Sequence, residues 1–267
     1  MLFQFRKRYT LNYFCTSIVK HCNLNCRYCD HFSPLAEEKF MDIKALRKEF
    51  SKINSLINLK RIGLLGGEPL LHPDITEIIK MTKKIFSNTE IIIITNGIML
   101  DKMDEEFWKT CSKTRTKILI SKFNIKLNKA LIFKKIMQYK LQACFYGATG
   151  NEYKKMYHPA LDLSGSQNKE EMHKRCWQNK GSCNYYEAGK LYKCTTVGNI
   201  ETFNKFYNQN LEVTNNDYID IYKVKNIAEI EKYFNNTIDF CKYCNINAEK
   251  QNLTWEVSKR EMSDWLM

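Results

Sequence analysis

A chain of 267 residues, 44% of them hydrophobic, can bury a substantial core as one large domain or as a domain with a smaller appendage. No stretch approaches the roughly 18 apolar residues of a transmembrane helix, and the opening MLFQFRKRYT has no long apolar run or small-residue cleavage site, so a cytoplasmic protein without membrane contact is expected. The net charge of +13 comes mainly from lysines scattered along the chain, which reads as solvated surface and makes nucleic acid an unexpected partner. Eleven cysteines in such a chain make better sense as thiolate ligands in a reducing compartment than as disulfides.

Residues 14–20 read as a buried strand running straight into His21-Cys22-Asn23-Leu24-Asn25-Cys26-Arg27-Tyr28-Cys29-Asp30. After Pro34, a helix is predicted from about Asp42, its N-cap, to Asn58, with Leu46, Phe50, Ile53 and Ile57 on one face. A strand over 61–65 ends in Gly66-Gly67-Glu68-Pro69, and a helix over about 74–86 leads to a strand over 90–95 closed by Asn96-Gly97. Then come a helix over 102–111, a strand over 117–121, a helix over 126–138 and a strand over 141–146. Strands alternating with helices of this length imply right-handed βαβ units and a parallel sheet. In barrel-like parallel folds the chemistry sits at the C-terminal strand ends. The cysteine loop, GGEP and Thr95-Asn96-Gly97 all fall there.

Beyond Tyr146 the alternation stops. Residues 147–175 look like loop with short irregular pieces, and 176–244 like a second, metal-stapled unit with weak strand signals such as KLYKCTTV. The tail from about Glu249, with Trp255 and Trp265, is expected to pack as a terminal helix. The boundary is therefore set near residue 150, dividing the chain into 1–150 and 151–267.

Three cysteines spaced C-x3-C-x2-C can be wrapped around one cluster by a single loop. Three thiolates also leave one metal position open, whereas structural zinc usually takes four protein ligands. By residue chemistry alone, a zinc completed by His21 or His31 stays open. A two-glycine turn lets backbone approach a ligand closely, and its carboxylate can accept from an ammonium group.

The cysteine spacing, with Tyr28 before the last cysteine and GGEP one βαβ unit later, resembles the signature of radical S-adenosylmethionine (SAM) enzymes. The resemblance implies a partial (β/α) TIM-like barrel of the α/β class. It implies a 4Fe–4S cluster on Cys22, Cys26 and Cys29, with SAM chelating the fourth iron. It further implies SAM contacts from Tyr28, Gly66, Gly67, Glu68, Asn96 and Ser121.

Cys176, Cys183, Cys194, Cys241 and Cys244 form a second group. Their layout, with Gly189 between Cys176 and Cys194, resembles the twitch module. This is a short version of the SPASM extension of some radical SAM enzymes, among them an aminocyclitol dehydrogenase. The resemblance implies an auxiliary 4Fe–4S cluster on Cys176, Cys194, Cys241 and Cys244, leaving Cys183 unassigned. A four-cysteine zinc needs the same thiolates. Cys15, Cys111 and Cys144 lie in apolar surroundings and are expected to be small core residues.

Asp30 and His31 follow the last cysteine of the loop, Arg175 adjoins Cys176, and His158 precedes Pro159. Asp30, His31 and Arg175 are taken as candidate catalytic groups. The expected activity is radical SAM oxidation of a small hydroxylated molecule such as a sugar, an aminocyclitol or a nucleotide-linked sugar. An electron donor such as flavodoxin or ferredoxin is the expected partner. Peptide or protein side-chain modification is the enzymatic alternative, and a non-catalytic iron–sulfur carrier is the alternative of another class.

Overall fold

The structure, a computed structural model, describes residues 8–147, 152–158, 160–180, 183–248 and 250–266. Pro159, Glu249 and the first seven residues, named above, lie outside the described residues. The first half alternates as expected: β1 (Tyr9–Val19), α1 (Ile43–Leu56), β2 (Ile57–Gly66), α2 (Ile75–Ile85), β3 (Glu90–Thr95), α3 (Glu105–Thr114), β4 (Lys117–Ser121), α4 (Lys129–Gln138) and β5 (Ala143–Tyr146). These five strands are parallel neighbours in chain order. Three of these four helices are capped by a side chain accepting a first-turn N–H: Asp42 before α1, Asp104 before α3 and Asn128 before α4.

Alternation along the strands divides the interior in two. Phe14, Ile18, Ile62, Leu64, Ile91, Ile93, Ile118 and Ile120 face the layer that holds α1–α4 residues such as Phe50, Ile78, Phe107 and Ile132. Tyr13, Cys15, Leu65 and Ile94 belong to a second core on the other face. Full burial of each large aliphatic side chain is worth about 1.5–3 kcal/mol, so this patterning fixes the sheet register.

The second half continues the same sheet. It contains β6 (Met156–His158), α5 (Lys169–Arg175), α6 (Trp177–Lys180), β7 (Asn184–Glu187), β8 (Lys190–Tyr192), α7 (Thr195–Tyr207), β9 (Tyr218–Asp220), α8 (Ile227–Asn235) and β10 (Lys250–Leu253). β7 pairs parallel with β1, and β8 and β9 add antiparallel beyond it. The strand order is β5-β4-β3-β2-β1-β7-β8-β9, an unclosed sheet that matches a partial barrel. α7 packs over its inner face, where Gly198 gives Tyr185 the room a Cβ would occupy.

Two expectations are corrected. KLYKCTTV is not one strand: β8 ends at Tyr192, and Cys194 stands at the N-cap of α7. The tail is not a helix. It runs as β10 and then an extended strap, with a short 3-10 turn at Met262–Asp264. Trp265 is fully buried among Phe32, Phe203 and Tyr207. Among the described residues, no helix is long and apolar enough to cross a membrane.

Candidate active site

The loop after β1 carries Cys22, Cys26 and Cys29, and two turns hold it. Gly67 donates its N–H to Val19 (2.9 Å) and Glu68 to the carbonyl of His21 (3.1 Å). A Cβ on Gly67 would lie 1.8 Å from the His21 oxygen, and one on Gly66 (φ 139°) 2.1 Å from that of Val19. The glycines are therefore demanded by backbone packing of one turn on the other.

Glu68 is wholly buried. Its carboxylate accepts from Leu70 N (3.1 Å), the Thr95 hydroxyl (2.6 Å) and Asn96 N (2.9 Å). Burial pushes its pKa up to about 7, against the pull of those three donors. Both oxygens tie the GGEP turn to the Thr95-Asn96-Gly97 turn.

Asn96 passes that restraint to the cysteines. Its Nδ2 donates to Asn23 Oδ1 (2.7 Å) and lies 3.7 Å from Cys22 Sγ, which also accepts from Leu24 N (3.3 Å). Trp255 of the C-terminal strap donates its indole N–H to Cys26 Sγ (3.1 Å). Burial pushes the Cys26 thiol up to about 12 and raises Cys22 and Cys29 as well. Thiols so placed are thiolates only when a metal replaces the proton. Three N–H donors aimed at sulfur, from Leu24, Asn96 and Trp255, suit that anionic state, so the donor set fits a metal cluster.

The strap was not legible as part of the site. Val257 bridges Cys26, Ser258 N donates to Asn25 O (2.8 Å), and Trp265 donates its indole N–H to the Cys29 carbonyl (2.9 Å). Arg27 pairs with Asp264 (2.7 Å) and Glu256 (2.9 Å). Tyr28, at φ 64°, takes the Arg27 guanidinium over its ring at 4.7 Å.

Ser121 ends β4 and is buried, and its hydroxyl accepts from Lys154 Nζ (3.3 Å). Lys154 also reaches the Tyr146 hydroxyl (3.1 Å) and lies over the rings of Phe123 (5.1 Å) and Tyr146 (4.7 Å). No sequence signal singled it out. His31 stands against Tyr185 (5.7 Å between rings), with Nδ1 3.3 Å from Ser17 Oγ and Nε2 4.0 Å from Asp30. Burial lowers its pKa. Arg175 is not brought to this group. Its guanidinium is half-exposed and bonded to Glu171 (3.1 Å) and Asn247 (2.5 Å), because it closes α5 on the outer side.

The second cysteine set meets in one small cavity. Cys176 (after α5), Cys194 (before α7), Cys241 and Cys244 line it with Met172, His173, Asn179 and Lys193. Burial raises Cys194 and Cys244 and pushes Cys241 up to about 12, and His173 Nδ1 stands 3.6 Å from Cys241 Sγ. Cys183 does not line the cavity; it lies within electrostatic reach of Asp30 and Cys176. Cys15 and Cys111 are buried as expected, but Cys144 is exposed because it points outward from the edge strand β5. Among the described residues, no three His, Cys, Asp or Glu side chains stand close enough together to hold a single metal ion.

Comparison with known proteins agrees with this geometry. The chain is 35% identical over 101 residues to GTP 3′,8-cyclase of Clostridium botulinum and 36% identical over 99 residues to that of Clostridium perfringens. The aligned stretches cover 37% and 36% of this chain, and 32% and 30% of the relatives. The chain thus spans about a third of the length of the curated relatives it matches. In fold it is similar to BtrN, solved in complex with AdoMet and 2-DOIA: the TM-score is 0.53 at 17% identity, over 98% of this chain and 100% of BtrN. The Radical SAM superfamily model matches residues 16–127, which hold the three-cysteine loop, GGEP, Asn96 and Ser121. That stretch is a radical SAM domain, which binds SAM and a 4Fe–4S cluster.

Proposed function

We propose that the protein is a radical SAM oxidoreductase that oxidises a small hydroxylated molecule and uses an auxiliary 4Fe–4S cluster on Cys176, Cys194, Cys241 and Cys244 as electron acceptor. With SAM and a reduced cluster bound at Cys22, Cys26 and Cys29, the domain supplies a 5′-deoxyadenosyl radical able to take a hydrogen atom from an unactivated carbon. The protein's part is to hold that carbon in place and keep water away. Glu68 and Asn96 fix the loop that presents the cysteines, Trp255 and Trp265 cover it, and Asp30 and His31 are the polar groups set beside it. Tyr28, Gly66, Gly67, Glu68, Asn96 and Ser121 remain the proposed contacts to SAM.

The observation that carries the oxidative reading is the four-thiol cavity built behind a sheet continuous with the radical SAM domain. A carbinol carbon that loses a hydrogen atom, and then its hydroxyl proton, must surrender one more electron to become a ketone. Four cysteines leave no ligand position for substrate and so suit electron transfer. The proposed division at residue 150 separates the SAM-binding part from this accessory part.

The test is a panel of sugars, aminocyclitols and nucleotide-linked sugars deuterated at the carbinol carbon, offered to anaerobically reconstituted protein with SAM. Deuterium entering 5′-deoxyadenosine together with a ketone product is the expected result. Deuterium transfer with a redox-neutral product, or turnover only on peptides, would overturn it.

A further inference from the structure

More than half of the chain's net charge folds onto one edge of the molecule. Residues 122–155 hold eight lysines against one acidic residue, Glu152, although lysine looks evenly spread along the sequence. This stretch follows β4 and carries α4 and β5, and β5 is the terminal strand of the sheet. Some lysines elsewhere pair with carboxylates, as Lys80 does with Glu77 and Glu106 and Lys117 with Glu90. Among the described residues, none stands within ion-pair distance of Lys126, Lys129, Lys134, Lys135, Lys140, Lys154 or Lys155. The same stretch exposes large apolar side chains: Phe133 (49%), Met137 (76%), Tyr146 (36%) and Tyr153 (42%). Exposed aromatic and Met residues ringed by uncompensated cations are the make-up of a docking surface rather than of plain solvated surface.

This face also abuts the three-cysteine loop. Lys154 lies over the rings of both Tyr146 and Phe123, the Phe123 ring packs on Trp255 (5.9 Å), and Trp255 donates to Cys26 Sγ. From this charge and this continuity we infer that the β4–α4–β5 edge docks an acidic, one-electron-donating protein that reduces the cluster held by Cys22, Cys26 and Cys29. The inference rests on the radical SAM reading of that loop, not on the identity of the substrate. One electron leaves the partner, which is oxidised by one unit, and enters the cluster beside Trp255, with no proton moved. Lysines facing acidic groups steer such an encounter and raise its rate most at low salt.

The test uses the reconstituted protein without substrate, reduced flavodoxin as the acidic donor and reduced methyl viologen as a small donor that needs no docking. Cluster reduction is followed by its visible absorption and by electron paramagnetic resonance. The variant K126E/K129E/K134E/K140E changes exposed side chains only. It should raise the flavodoxin concentration for half-maximal rate at least tenfold and abolish the salt dependence, with the methyl viologen rate unchanged. The charge-matched variant K44E/K48E/K225E/K232E, away from this edge, should shift it less than threefold. Equal effects of the two variants would reduce the observation to net charge and overturn the inference, as would parental behaviour of the first variant. Loss of RNA binding in the first variant with flavodoxin reduction intact would also overturn it. Failure of the oxidation reading would appear only when substrate is added, so the two outcomes are separable.

Discussion

Glu68 is a buried carboxylate held by three donors, and its ionisation is a property of the fold. Its folded-state pKa of about 7 lies above the ordinary 4.5, so the folded protein binds this proton more tightly than the unfolded chain does. The resulting stability is complete below the ordinary value and is lost as pH rises through about 7. Denaturant melts of the cluster-free protein should therefore show Glu68 subtracting up to about 1.4 kcal/mol per pH unit across that window. Glu68→Gln should lack this component, and an identical slope in the variant would refute the assignment. At Cys26 the argument is about sulfur instead. Trp255→Phe keeps the packing on Phe123 but removes the N–H directed at Sγ. Hydrogen bonds to cluster sulfurs raise reduction potentials, so a redox titration should place the variant's first cluster at a more negative potential.

The C-terminal strap is the element on which the cysteine loop leans. Trp265→Ala would empty a fully buried site among Phe32, Phe203 and Tyr207 and remove the indole N–H bonded to the Cys29 carbonyl, at a cost of about 3–5 kcal/mol in urea unfolding. The same variant should reconstitute with less iron at the first site than at the second. The strap also shows where sequence reasoning stops. β3 and β4 were legible to the residue because each is a run of apolar residues bounded by turn signals, and α1 because Asp42 caps a helix with one apolar face. The first-site cysteines, Glu68 and Asn96 were legible because each follows a strand at the chemically active end. The strap, β7 and Lys154 owe their positions to partners far away in sequence: Asn25–Arg27 for the strap, Phe14–Thr16 for β7, and Ser121 with Tyr146 for Lys154. No local periodicity encodes such pairings. Cys144 was misjudged because apolar neighbours do not reveal that a strand is the last in its sheet.

At the scale of the whole molecule, the division of work proposed for the two cysteine sets predicts that their removal has different consequences. Reconstituted protein is expected to hold about eight irons as two 4Fe–4S clusters. Replacing Cys22, Cys26 and Cys29 by alanine should leave about half of that iron and abolish SAM cleavage. Cys241→Ala/Cys244→Ala removes two of the four thiols around the second cavity and should lose the other half. Reductive cleavage of SAM needs only the first site, so this variant should still release 5′-deoxyadenosine. It should not release ketone, because the substrate radical has no acceptor for its last electron. Cys183→Ala should keep both clusters, since its thiol stands outside the cavity. The decisive measurement is the ratio of oxidised product to 5′-deoxyadenosine. A ratio near one in the parent and in Cys183→Ala, falling toward zero in the double variant, is the outcome that the four-thiol cavity requires. Full oxidised product from the double variant would take away the role of the second set as acceptor. The protein would then be a radical SAM enzyme of redox-neutral outcome, with Cys176, Cys194, Cys241 and Cys244 serving to pin α5 and α7 together beneath the sheet.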